Sequence, residues 1–133
     1  MSDDGRVVLV VEDDAPLRRM TGIFLRAAGY RVRAAEDGPS GLVLARDERP
    51  DLVLLDLMMP GLDGWEVLRR IKGDARTAAI PVLVLTASVD LPLTEQALRL
   101  GATRFLTKPI DSRVLVEIVD EVLSQTEGQE ERP

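Results

Sequence analysis

Along the chain, short apolar runs alternate with longer stretches in which apolar residues return every three or four positions. The runs are "VVLVV" at 7–11, "YRVRAA" at 30–35, "LVLL" at 52–55, "VLVL" at 82–85 and "RFLT" at 104–107. They have the length of strands. The first, third and fourth are unbroken rather than alternating, which fits strands covered on both faces. The stretches between them, about 15–28, 38–47, 64–72, 91–100 and 112–124, have the length and spacing of helices.

The punctuation agrees. Gly29 and Gly101 stand where the first and fourth helices should stop. Asp14, with Pro16 behind it, is placed to cap the first helix and Asp111 to cap the last. Asp90 precedes a fourth helix with Pro92 in its first turn, and Asp63 stands three before Glu66 as a capping pair would. Five strands alternating with five helices predict an α/β fold, a doubly wound five-stranded parallel sheet with helices on both faces.

In such a sheet, ligands bind at the carboxyl ends of the strands, where the strand order reverses. The residues just after each apolar run therefore matter most. Glu12, Asp13 and Asp14 follow the first run, Asp56 the third, Thr86 the fourth and Lys108 the fifth. The second ends in "AAEDG", which reads as a turn. Each residue alone has an ordinary explanation: a loop acid, a hydroxyl beside a turn, a surface ammonium. Their convergence on one rim does not.

Two carboxylates about 5 Å apart repel by about 3 kcal/mol at an effective dielectric near 20, so a proton or a cation belongs among them. Oxygen-only ligands with water at the remaining positions suit Mg²⁺. An ammonium from Lys108 and a hydroxyl from Thr86 would complete a clamp for a transferring phosphoryl group. Asp56 is then the natural nucleophile, because an aspartate forms an acyl-phosphate without needing a base.

Composition narrows the classes. A chain of 133 residues fits one domain, expected over 1–125 with a short polar tail at 126–133. The net charge of −6, with no basic block, argues against direct contact with nucleic acid. The absence of cysteine excludes a disulfide framework and thiolate metal sites. The absence of histidine excludes His-based triads, His-ligated zinc and any phosphohistidine carried by this chain. No segment reads as a signal peptide or a membrane span, so the expected location is cytoplasmic.

The motifs "LVVEDD", "DLVLLDLMMPGLDGWEVL", "IPVLVLTA" and "GATRFLTKPI" occur in that order. Intervals of 43, 30 and 22 residues separate Asp13, Asp56, Thr86 and Lys108. Taken together, over about residues 6–125, the chain resembles a receiver domain of the two-component response regulators, close to the chemotaxis response regulator. The resemblance implies a flavodoxin-like fold with strand order 2-1-3-4-5 and a phosphoacceptor role for Asp56. It implies Asp13 as a direct Mg²⁺ ligand, Glu12 acting largely through water and the backbone carbonyl of Met58 completing the protein's share. Thr86 and Lys108 would each hold a phosphoryl oxygen, and the Lys108–Pro109 peptide bond would be cis. Activation would couple Thr86 to Phe105 and reshape the surface of the fourth helix, fifth strand and fifth helix. Met58 and Ser88 would flank the entry of a hydrolytic water.

The implied partners are a sensor histidine kinase or histidine phosphotransfer protein and a downstream protein target, the chain being a monomer or a weak dimer through that same surface. Two other classes compete. A haloacid-dehalogenase-type phosphohydrolase needs an acid two residues after the nucleophile, where this chain has Met58, and a cap domain. A receiver-like scaffold that never turns over phosphate usually lacks one of the acids, the lysine or the acceptor, all present here. The Met1 start and polar tail favour a complete single-domain regulator over a receiver cut from a larger regulator or hybrid kinase.

Overall fold

The computed structural model describes residues 5–59, 64–87 and 91–131. In chain order the elements are β1 (Val7–Val11), α1 (Ala15–Ala27), β2 (Arg31–Ala35), α2 (Gly38–Glu48), β3 (Leu52–Asp56), α3 (Gly64–Gly73), β4 (Val82–Thr86), α4 (Leu91–Arg99), β5 (Arg104–Thr107) and α5 (Ser112–Glu131). The strands form one parallel sheet in the order β2-β1-β3-β4-β5. Leu9 lies opposite Val53 and Val11 opposite Leu55 where β1 meets β3, the place at which the chain changes direction across the sheet.

The unbroken apolar runs divide their side chains between two cores, because successive residues of a strand point to opposite faces. Leu9, Val11, Val53, Leu55, Val82 and Val84 pack with residues of α2, α3 and α4. Val8, Val10, Leu52, Leu54 and Leu83 pack on the other face with Leu25 of α1 and Leu115, Val119, Val122 and Leu123 of α5. Central β3 is buried at every position. Burying a Val or Leu side chain stabilises by about 1.5–3 kcal/mol, so these two layers hold the sheet together.

Most of the helix ends are as the sequence predicts. Asp14 caps α1, its Oδ1 accepting from the Leu17 amide at 3.0 Å. Gly29 and Gly101, at φ 104° and 108°, follow α1 and α4 in the left-handed region that favours glycine. Asp111 Oδ1 accepts from the Arg113 amide at the start of α5. Asp37 proves to be more than a turn residue: it caps α2 through the Ser40 amide at 2.8 Å. The expected roles of Asp63, Ser88 and Asp90 lie outside the described residues.

Three element ends differ in ways that matter here. The third and fourth strands each run one residue further, taking in Asp56 and Thr86, because backbone pairing continues regardless of side-chain polarity. The last helix was expected to end at 124, yet α5 continues to Glu131 through the segment read as a polar tail. Nothing there stops a helix: Gln and Glu are good helix formers, and Gly128 weakens a helix by only about 1 kcal/mol. Among the described residues, no helix is long and apolar enough to cross a membrane.

Candidate functional site

The carboxyl ends of β1, β3, β4 and β5 bring Glu12, Asp13, Asp56, Thr86 and Lys108 to one rim. Oxygens of Glu12, Asp13 and Asp56 lie within 4.8 Å of one another. Glu12 and Asp56 are each 5% exposed, whereas Asp13 is exposed. Lys108 reaches between the two buried acids, its Nζ 2.9 Å from Glu12 Oε1 and 3.1 Å from Asp56 Oδ2. The other oxygen of Asp56, Oδ1, accepts from the Met58 amide at 3.0 Å. Among the described residues, three carboxylates thus gather around the single ammonium of Lys108, an excess of acid at the rim.

The charges perturb one another. Burial pushes the Glu12 carboxyl up to about 6, helped by the negative charge of Asp56, while bonds from Lys108 and the Asp14 amide partly offset this. Burial pulls the Lys108 ammonium down, but the hydrogen bonds to Glu12 and Asp56 outweigh it and the net direction is upward. Lys108 stays charged and Glu12 holds its proton more readily than an ordinary glutamate. An all-oxygen donor set with excess negative charge fits a hard divalent cation, which would relieve both effects.

The backbone fixes the lysine. The Lys108 amide donates to the Thr86 carbonyl at 2.8 Å, extending the β4–β5 ladder in which Thr86 pairs with Thr107. The Lys108–Pro109 bond is cis, as the resemblance implied. Thr86 is 1% exposed. Phe105 on β5 is half-buried against the core of α2, α3 and α4. The Met58 side chain points outward, 62% exposed, beside Asp56.

Two contributors escaped the sequence reading. Arg18 Nη1 donates to the Glu12 carbonyl at 2.7 Å, a contact hidden in the helical face of α1. Gly64 starts α3 so close to β3 that an added Cβ would lie 2.4 Å from Leu57 Cα and 2.5 Å from the Asp56 carbonyl oxygen. The signal for the first was an arginine six residues after the first acid. For the second it was a glycine where a helix should begin.

The sheet order and this rim define a flavodoxin-like signalling domain of the two-component class. The chain belongs to the response regulator receiver domain family, whose description matches residues 8–120. It is 40% identical over 130 residues to the phosphate regulon transcriptional regulatory protein PhoB of Pseudomonas aeruginosa, covering 97% of this chain and 57% of that protein. Against protein PilH of the same organism it is 37% identical over 119 residues, covering 90% of this chain and 98% of PilH. The chain thus spans little more than half of PhoB and nearly all of PilH. Among solved structures, chemotaxis protein CheY4 of Vibrio cholerae superposes with a TM-score of 0.84 at 30% identity, covering 88% of this chain and 98% of that one. As a receiver, the protein is a signalling phosphoacceptor domain.

Proposed function

We propose that Asp56 is the residue that accepts the phosphoryl group, from a phosphohistidine on a separate sensor kinase or phosphotransfer protein. The observation that carries this reading is the Asp56 carboxylate itself, buried at the end of β3 with Lys108 on one oxygen and two further acids within 4.8 Å. An oxygen of Asp56 forms the new bond to phosphorus as the phosphorus–nitrogen bond breaks, and the imidazole leaves with the electron pair. Glu12, Asp13, Asp56 and the Met58 carbonyl would hold Mg²⁺, which when bound supplies positive charge to the phosphoryl oxygens. Lys108 and Thr86 would hold phosphoryl oxygens, so that the domain assists its own phosphorylation and dephosphorylation.

No histidine lies within these 133 residues, so the donating phosphohistidine lies outside them. Once Asp56 carries a phosphoryl group, Thr86 draws toward it and Phe105 turns inward, a population shift driven by a local charge. The surface of α4, β5 and α5 then meets a downstream protein or a second copy; it offers Leu91, Leu98 and Val114 to solvent. A cytoplasmic setting belongs to this reading. The receiver unit is taken as 1–125, with the end of α5 running on from it.

Intact mass after incubation with acetyl phosphate tests the proposal. One added phosphoryl group is expected with Mg²⁺, none with EDTA and none in Asp56→Asn. An adduct that persists in Asp56→Asn would overturn the assignment. The absence of any adduct, together with no response of the fluorescence of Trp65, the sole tryptophan, in the first turn of α3, to beryllofluoride, would favour a scaffold.

A further inference from the structure

Of the three acids, Asp13 is the one that no described side chain or amide holds directly. Glu12 and Asp56 are buried and share Lys108. Among the described residues, the exposed Asp13 carboxylate has neither a hydrogen bond nor an ion pair. Its direction is therefore set by the backbone on either side of it. Four hydrogen bonds bracket that backbone. The Glu12 amide donates to the Ala35 carbonyl at 3.0 Å, and the Asp14 amide to Glu12 Oε2 at 3.2 Å. The other two come from one residue. Arg18 donates its backbone N–H to the Asp14 carbonyl at 2.8 Å and its guanidinium Nη1 to the Glu12 carbonyl at 2.7 Å.

Arg18 thus grips the carbonyl before Asp13 and the carbonyl after it. The first bond is an ordinary helical one that any residue at 18 would make. The second depends on the side chain, and it fixes the peptide plane that joins Glu12 to Asp13. It is charge-assisted and partly buried, which makes it stronger than a neutral bond in water.

We propose that Arg18 is a positioning residue for the metal site: through the Glu12–Asp13 peptide it aims the Asp13 carboxylate at the cation. This rests on the assignment of Asp13 as a Mg²⁺ ligand. The proposal runs against simple electrostatics, and that makes it testable. A guanidinium beside an acidic site repels a cation, so removing its charge alone would tighten Mg²⁺ binding. Losing the orientation of a ligand weakens binding, and partners that orient metal ligands typically contribute about 10–100-fold in affinity. The sign of the change separates the two effects.

The experiment is a calorimetric Mg²⁺ titration of the wild type, Arg18→Met and Arg18→Lys, each checked for folding by circular dichroism. It is paired with amide order parameters of the metal-free proteins by nitrogen-15 relaxation. The expected result is a dissociation constant raised roughly tenfold in Arg18→Met and by less in Arg18→Lys, which keeps a donor on a different reach. Order parameters at Asp13 and Asp14 should fall in Arg18→Met while that of Leu25, later in the same helix, stays unchanged. A dissociation constant within about twofold of wild type or below it, or an unchanged Asp13 amide, overturns the proposal. If Arg18→Met does not fold, Arg18→Gln makes the same comparison. A wild type that binds no Mg²⁺ brings down the metal assignment and this inference together, whereas equal binding by wild type and variant brings down the inference alone.

Discussion

Replacing Gly64 by alanine should separate the backbone approach at the start of α3 from every other property of that helix. The new Cβ would sit 2.4 Å from Leu57 Cα, 2.5 Å from the Asp56 carbonyl oxygen and 2.9 Å from the Leu57 carbonyl carbon. All three are backbone atoms, so no rotamer change relieves the overlap. Ordinary contact begins near 3.4 Å, so the first turn must retreat by about 1 Å from the end of β3, and overpacking of this kind costs about 1–3 kcal/mol. Alanine recovers little of this through helix propensity at a first position. A net loss of about 2 kcal/mol should lower the melting temperature by about 8 °C. The same exchange at the other end of the helix is the control, because nothing lies within 4 Å of the Cβ added at Gly73. Gly73→Ala should stabilise by about 0.5–1 kcal/mol through lost freedom of the unfolded chain. Urea unfolding followed by circular dichroism gives both values, with the denaturant slope expected to be unchanged. Gly64→Ala should also accept phosphate from acetyl phosphate more slowly, since the retreat pulls on the strand end that holds Asp56. Two variants that shift stability in the same direction by similar amounts would refute the argument from close approach.

Lys108→Met removes the ammonium that bridges Glu12 and Asp56. The metal-free variant should melt lower, gain more than the wild type when Mg²⁺ is added, and fail to take up phosphate; equal Mg²⁺-dependent gains in a thermal shift assay would contradict this. In metal-free protein, Glu12 keeps its proton to about pH 6 when folded, against 4.5 as the ordinary value. Between those values the native state binds more protons than the unfolded state, so the contribution of Glu12 to stability falls as pH rises through that window and levels off above it. Subtracting the pH profile of Glu12→Gln isolates the effect, and a difference that rises with pH would show that the sign is wrong. Thr77→Val deletes a buried hydroxyl that donates to the Ile71 carbonyl at 2.7 Å. A loss of about 1–2 kcal/mol in urea unfolding is expected, with phosphorylation unaffected.

The elements of the fold were legible because burial on both faces leaves unbroken apolar runs, and because caps such as Asp14 and stops such as Gly29 act on their neighbours in sequence. The rim residues were legible for a related reason: Asp56, Thr86 and Lys108 each end such a run, and the parallel sheet aligns those ends. What the pattern could not give was contact across the chain. Nothing local says that Glu12 is buried against Lys108 of the loop after β5 while Asp13 is exposed. The grip of Arg18 on the Glu12 carbonyl depends on how α1 is tilted over β1, and a helical wheel records only that a cation is present. The tightness at Gly64 is likewise a distance between α3 and β3. The length of α5 is not legible in polar composition, which loops and solvated helices share, although Gln and Glu favour a helix.

The strand that bears Asp56 is sealed at every position, whereas α4 has a single buried residue among those described, Ala97. In hydrogen-exchange terms the two belong to different cooperative units. Amides of β3 should open only when the whole molecule does, and those of α4 through small excursions that leave the sheet intact. On the proposed reading, a phosphoryl group at Asp56 would act from a fully buried strand upon a helix with little buried surface, which could change posture while the sheet stays in register.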